Sequence, residues 1–494
     1  MADDHRNFIG GKWVPAESGD TFESRNPANR DEVLGTFPRS GSEDAARAVE
    51  AARDAYREWM HTPVPERADY LLRAGLILER RKEELSELMT REMGKTLKES
   101  RGDVQEGIDF CFYMAGEGRR FFGHTVPAEL RNKFSMTVRH PIGVVGLITP
   151  WNFPIAIPLW KIAPAIVGGN TSIFKPAEDT PLLATLLVQT FEEVGLPPGV
   201  LNLVHGYGEE CGESLVVHPD VRAISFTGSL EVGRHIAETC GRLMKRCSLE
   251  LGSKNVLIVM PDADMDLAVE ASAWGAFATS GQRCTATSRL VVHQAAREEF
   301  TDRLVERVKG MKVGSGLDPE VELAPVINAK QKERVLEYIE IGKKEGAKLL
   351  TGGQELTGDR YDRGSFIEPT IFDEMTSDMR IAQEEIFGPV TGIIRTEDVD
   401  QAIDIANATG YGLSASIYTH DITNVFKAIQ QLEFGVVYVN APTIGAEVQL
   451  PFGGMKNTGN GHREAGPQAL DEFTEWKAVS VDFSGKVQKA QGID

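Results

Sequence analysis

From Pro141 onward the chain repeatedly places short, largely apolar β-type runs, each followed by a segment of helical spacing. The runs lie at 144–148, 171–174, 200–204, 223–226 and 256–259. A strand that is apolar on successive residues presents apolar side chains to both faces of its sheet, so both faces must be covered. Helices that return the chain between such strands supply the cover and make the strands parallel. Helix signals sit between the runs. Thr180 is placed to cap a helix beginning at Pro181 and stopping at Gly195, ahead of Pro197 and Pro198, and another helix starts from Ser229. This alternation predicts an α/β fold with a Rossmann-like domain. A second alternating block runs from about Asp264 to Tyr438, with helices expected near 265–280, 296–309 and 329–346 and strands near 288–292, 390–394 and 436–439.

The remaining segments frame this core. Residues 1–40 read as short strands and turns. Ser42 is expected to cap a helix with Ala45, Val49, Ala52, Tyr56 and Trp59 on one face. Pro65 is expected to open a long helix carrying Leu72, Leu76, Leu85 and Met89 inward and ending near Gly94. Two alternating stretches, 130–139 and 473–481, have little core of their own. They either pair with another subunit or close a sheet within the chain.

With 53 Lys and Arg against 73 Asp and Glu, the net charge is −20, which disfavours nucleic acid and anionic lipid as partners. Five cysteines, an odd and small number, argue against a disulfide framework and for a reducing compartment. The start MADDHRNF lacks a basic segment followed by an apolar run, and no uncharged apolar run reaches the length of a bilayer span. The expected location is the cytoplasm, with no membrane partner and no metal.

Several short segments carry reactive groups. In Gly281-Gln282-Arg283-Cys284 a thiol follows a glycine turn and adjoins a cation, an arrangement that favours the thiolate; a cysteine after glycine is otherwise a small buried apolar residue. Glu250, between Leu249 and Leu251, has surroundings that raise its proton affinity and suit a general base; the alternative is an edge carboxylate facing solvent. Asn152, in Thr149-Pro150-Trp151-Asn152-Phe153-Pro154, follows an apolar strand, where its amide can donate to a developing oxyanion or serve only a turn. Lys175 and Glu178 can hold the hydroxyls of a ribose or form a surface ion pair. Phe226-Thr227-Gly228-Ser229 leads into a helix whose first N–H groups can face a pyrophosphate, although it is not a G-x-G-x-x-G fingerprint. The stretch 383–389 adds Glu385 and Phe387 before a Gly-Pro stop.

In order along the chain, PWNFP, FKPAE, GLPPGVLNLV, FTGS, LELG, GQRC, EEIFGPV and PFGG resemble the aldehyde dehydrogenase superfamily over nearly the whole length. The resemblance implies a small-molecule aldehyde as substrate, with Cys284 as nucleophile, Glu250 as base for thioester hydrolysis, and Asn152 with the Cys284 N–H as oxyanion hole. It implies a dinucleotide held by Lys175 and Glu178 at the adenine ribose, Ser229 at the pyrophosphate, and Glu385 and Phe387 at the nicotinamide end. Ile148, Thr149, Pro150, Trp151, Gly208, Gly212, Phe226, Thr227, Gly228, Leu251 and Gly252 would complete the cofactor cleft. Glu178 favours NAD by repelling a 2′-phosphate; NADP remains open because Lys175 is beside it.

The implied architecture is a dinucleotide-binding domain (1–123 and 142–252), a catalytic domain (253–448), a return segment (449–473) and an oligomerisation ribbon (124–141 and 474–494) building a homodimer or homotetramer. One departure stands out: Ser253 replaces the family's frequent second glycine, placing a side chain where the backbone would approach the nicotinamide. Arg283 and Phe452 are expected to line the substrate path. GQRCTATSR together with IGAEVQLPFGG looks most like the dehydrogenases of 2-oxoglutarate semialdehyde (2,5-dioxopentanoate). The other readings are a general, hydroxylated or succinic-type aldehyde substrate, a CoA-acylating enzyme, and a non-catalytic scaffold.

Overall fold

Strands apolar on both faces are buried on both faces in the computed structural model, which describes residues 3–489. In the first seven-stranded sheet the order is Arg246–Glu250, Val221–Thr227, Val144–Ile148, Thr171–Lys175, Leu201–Leu203, Asn7–Ile9 and Lys12–Val14. The first five are mutually parallel; Asn7–Ile9 pairs antiparallel with Leu201–Leu203 on one side and with Lys12–Val14 on the other. Along Val144–Ile148, Val145 and Leu147 pack into one apolar cluster, and Val144 and Ile148 into another on the opposite face. The second sheet runs Lys348–Thr351, Thr370–Asp373, Val390–Thr396, Thr287–His293, Asn255–Val259, Ser414–Tyr418 and Val436–Val439, parallel except at its first strand. Here too Val256 and Ile258 face one cluster, while Leu257 and Val259 face the other. The run at 256–259, grouped by rhythm with the first set of strands, therefore belongs to the second sheet. Local periodicity identifies a strand but not its sheet.

The helical expectations need three corrections. Ser42 is the first residue of Ser42–Trp59; Gly41 is the cap, and its N–H donates to Asp44 at 3.2 Å. The long helix after Pro65 is two, Val64–Arg80 and Lys82–Met93, broken at Arg81. Leu72 and Leu76 are 43% and 47% exposed, because Ala68, Leu71, Ala74 and Leu78 occupy the inward face. Thr180 precedes Pro181–Glu193 without a side-chain cap bond. Its place is taken by the buried Glu92, which accepts from the N–H groups of Leu182 and Leu183 at 2.7 and 3.0 Å.

The two alternating stretches form Lys133–Pro141 and Thr474–Asp482, which pair antiparallel with each other from Thr474 with Pro141 to Asp482 with Lys133. Thr125–Val126 completes this three-stranded ribbon. Residues 1, 2 and 490–494, included in the expected domain limits, lie outside the described residues. Among the described residues, no helix is long and apolar enough to cross a membrane.

Candidate active site

The first sheet reverses direction between Val144–Ile148 and Val221–Thr227: one strand leads on to Thr171–Lys175, the other to Arg246–Glu250 on the far side. Loops leaving the carboxyl ends of two such strands diverge and open a crevice. Ile148 pairs with Phe226 and with Lys175, and Thr227 with Glu250, so one row of the sheet edge carries four of the singled-out segments. The Gly228 N–H donates to the Glu250 carbonyl at 3.0 Å, closing the turn into Leu230–Arg242, whose cap is the Ser229 side chain.

Asn152 sits in the loop after Val144–Ile148 and is buried. Its amide donates to the Gln282 carbonyl at 3.0 Å, which ties it to the residue two before Cys284. Its own carbonyl accepts from Lys95 at 2.7 Å, and Lys95 is paired with Asp103 at 2.9 Å, both side chains fully buried. Asp103 also accepts from the Ala156 N–H at 2.9 Å. An internal ion pair with these additional bonds fixes the loop from below.

Cys284 is reached through a strained turn. After Met265–Phe277 the residues Thr279, Ser280 and Gly281 all have positive φ, at 52°, 56° and 67°. Two non-glycine residues in that region cost about 1–3 kcal/mol each unless neighbours enforce them. The Thr279 N–H donates to Glu99, and the Ser280 hydroxyl to the Ala324 carbonyl at 2.6 Å. Gly281 is required by space as well, since a Cβ there would stand 2.0 Å from the Gly388 carbonyl oxygen. Beyond the turn, the Cys284 carbonyl accepts from the Asn255 amide at 2.7 Å and from the Ser253 hydroxyl. Ser253 thus directs its side chain at the loop carrying Cys284 rather than into the crevice at the strand ends, which corrects the expectation raised by its replacing a glycine.

The electrostatics correct the expectation for the thiol too. Burial pushes Cys284 well above the ordinary thiol range, Glu250 and Glu385 add to the effect, and Arg283 opposes it without prevailing. Arg283 lies against the wall of the site. It donates to the Thr279 hydroxyl at 2.9 Å, stands 3.6 Å from Glu99, and covers the Phe153 ring at 5.1 Å. Glu250 is also buried, and one of its carboxylate oxygens has no hydrogen-bond partner among the described residues. Burial and the neighbouring Glu464 raise its proton affinity, while Lys161 and Arg463 lower it. Lys161 and Glu464 form a buried ion pair beneath it, and Lys161 also donates to Ser225 at 2.9 Å.

Two cavities meet at the thiol. The first, about 250 Å³, has Cys284, Glu250, Arg283 and Phe452 in its wall. The second, about 200 Å³, is lined by Cys284 and Asn152 together with Pro150, Trp151, Ser229, Glu385 and Phe387. Thr227, Gly228, Leu251 and Gly252 also border it. Glu385 accepts from the Ser253 N–H at 2.8 Å, and a Cβ on Gly252 would come within 2.6 Å of its carboxylate, so glycine lets this carboxylate reach the crevice. The Trp151 and Phe387 rings meet edge to face at 5.4 Å. Farther along the sheet edge, Lys175 and Glu178 pair at 3.3 Å, and a Cβ on Gly208 or Gly212 would meet nothing within 4 Å. Ile148, Thr149 and Phe226 are buried at the strand ends and support these loops. Lys175, Glu178, Gly208 and Gly212 line neither cavity.

The sequence reading missed several participants. Gln331 donates to the Phe387 carbonyl at 2.7 Å and Arg334 to the Glu385 carbonyl at 2.9 Å, one turn apart on Ala329–Glu345. They fix Phe387 at φ 59°. Glu106, Trp160 and Trp274 line the first cavity. Their helical spacing gives no sign of it, because which residues of a helix border a cavity is set by how the helices pack.

A family model described as the aldehyde dehydrogenase family matches residues 13–479. The chain is 44% identical to the alpha-ketoglutaric semialdehyde dehydrogenase of Bacillus subtilis, over 96% of this chain and 97% of that one. It is 43% identical to the 2,5-dioxopentanoate dehydrogenase of Saccharolobus solfataricus, over 95% and 97%. Betaine aldehyde dehydrogenase from Staphylococcus aureus, solved with NAD+, superimposes with a TM-score of 0.95 at 35% identity, covering 98% of this chain and 95% of that one.

Proposed function

The chain belongs to the aldehyde dehydrogenase family and is an oxidoreductase acting on aldehydes, and on that premise we propose that it oxidises a short semialdehyde bearing a distal carboxylate. 2-Oxoglutarate semialdehyde is the leading candidate, with NAD as the oxidant. The observation that carries this reading is the position of Cys284 in the walls of both cavities. A thiol there can meet an aldehyde on one side and a dinucleotide on the other.

The second cavity and the sheet edge fit a dinucleotide. The helix start at Ser229 offers N–H groups to a pyrophosphate. Glu178, 38% exposed and paired with Lys175 through one oxygen, keeps the other oxygen to accept from ribose hydroxyls, and Glu385 faces the inner end of the crevice. When bound, the dinucleotide supplies the hydride acceptor that turns the Cys284 adduct into a thioester. NAD is the dinucleotide in the staphylococcal relative's structure, and the Glu178 carboxylate repels a 2′-phosphate. NADP is accordingly expected to serve poorly.

The residues of the chain do the rest. The Cys284 thiolate attacks the aldehyde carbon, and negative charge gathers on the former carbonyl oxygen. Asn152 has one amide proton committed to Gln282 and a second for that oxygen, a contribution worth about 3 kcal/mol of barrier. In the second half, ionised Glu250 takes a proton from water as its oxygen adds to the thioester, and the acid departs as the thiolate re-forms. A base in this position favours hydrolysis over acyl transfer to CoA. Stimulation of turnover by CoA would argue for the latter.

Arg283 supplies the cation for the distal carboxylate, its guanidinium 5.1 Å from the Phe153 ring centroid in the wall of the substrate cavity. The relatives from Bacillus and Saccharolobus, named for such substrates, support the assignment. The test is kcat/KM for 2-oxoglutarate semialdehyde and for propanal with each cofactor. Arg283→Ala should raise KM for the acidic aldehyde at least about tenfold, the loss of a charge-assisted pair, and leave propanal nearly unchanged. Equal effects on both would remove the assignment.

The same proposal divides the chain into the dinucleotide-binding, catalytic and ribbon parts given above and places the protein in the cytoplasm as a homodimer or homotetramer. Phe134, Val138, Trp476 and Val481 are 46%, 36%, 48% and 46% exposed on the ribbon, apolar surface that a second copy would cover.

A further inference from the structure

The helix Leu97–Glu117 presents Glu106 to the substrate cavity that Arg283 also lines, half-buried and without a hydrogen-bond partner among the described residues. A carboxyl group in the pocket of an enzyme for acidic aldehydes would repel its substrate if ionised. The surrounding charges show how this conflict is resolved. Asp103 is spent on Lys95, and Glu464 on Lys161. Burial and Glu464 raise the proton affinity of Glu250. At the cavity wall Lys98 and Arg283 stand with Glu99, and an ionised Glu106 would add a further negative charge facing the substrate's carboxylate.

Resting on the substrate class proposed above, we propose that Glu106 is a specificity residue that, as a neutral acid, donates a hydrogen bond to the distal carboxylate held by Arg283. Burial, with the charges of Asp103 and Asp109 on its own helix, pushes the Glu106 carboxyl up to about 8, against the opposing pull of Arg283 and Lys95. From the second sheet it is faced by Tyr438, whose hydroxyl is pushed up to about 12. From the nucleophile loop it is faced by Cys284. Below its pKa the cavity offers an acid proton to an anion beside the Arg283 cation. Above it the proton is gone and the attraction with it, so selectivity for acidic aldehydes falls as pH rises.

The experiment measures kcat/KM for 2-oxoglutarate semialdehyde and for propanal from about pH 6.5 to about pH 9.5 in the wild type, Glu106→Gln and Glu106→Ala. Taking the ratio of the two substrates cancels the ionisation of Cys284 and Glu250, which both substrates share. The wild-type ratio should fall about tenfold across this range, the size of one hydrogen bond to a charged group. Glu106→Gln, a neutral donor at every pH, should hold the ratio flat near its low-pH value. Glu106→Ala should hold it flat about tenfold lower, with propanal unaffected. A glutamine variant that keeps the wild-type pH profile, or an alanine variant that changes both substrates alike, overturns the role of Glu106. A wild-type enzyme with no preference for the acidic aldehyde at any pH instead overturns the substrate class.

Discussion

In the proposed mechanism Cys284 and Glu250 share an electrostatic problem: each must ionise to work, and each is buried where ionisation is costly. The buried cation Lys161 counters this at Glu250. Glu250 is a base only when deprotonated, so with hydrolysis limiting, kcat should rise with pH through its raised pKa. Lys161→Gln removes a charge that lowers that pKa and should move the rise to higher pH, seen in a kcat profile; an unmoved profile would mean that Lys161 does not act on the base. Which residues carry reactive groups was legible, since thiol, carboxylate and amide are chemical facts of the sequence. Their state was less so. The cation beside Cys284 suggested a thiolate, but Arg283 turns to Thr279 and Glu99, and burial outweighs it. Nor did the sequence reveal that Ser253 bonds the Cys284 carbonyl, a contact between residues brought together only by the fold.

Helices and strands were legible where the hydrophobic period was clean, as in Ala329–Glu345 and Val390–Thr396. They were less so where adjacent leucines left two faces equally plausible, as at Leu71 and Leu72. Caps supplied from a distance were invisible. Glu92, from Lys82–Met93, takes over the start of Pro181–Glu193 and also accepts from the Ser24 hydroxyl at 3.1 Å. Glu92→Ala would leave two helix N–H groups and a hydroxyl unpaired in the interior. It should lower the unfolding free energy by about 2 kcal/mol, read as a shifted midpoint in urea. An unchanged midpoint would show that these donors find other partners.

The whole molecule places its chemistry by topology. The reversal in the first sheet opens the crevice, and the second sheet contributes the loop that brings Cys284 to its inner end. The two α/β blocks were readable from alternation alone, but the assignment of Asn255–Val259 to the second sheet was not. The ribbon lies apart from both sheets, and its exposed apolar residues are expected to bury against another copy. Trp476→Lys combined with Val138→Lys should reduce the mass measured by light scattering to that of one chain or a smaller assembly; an unchanged mass would place the interface elsewhere.

The account depends on an acyl group passing through one sulfur. The most direct measurement is mass spectrometry of Glu250→Gln, acid-quenched after mixing with NAD and 2-oxoglutarate semialdehyde. The account predicts one acyl adduct per chain on the peptide containing Cys284, formed with a burst of NADH and persisting because hydrolysis is blocked. NADH formation without that adduct, or an adduct on another residue, would contradict it.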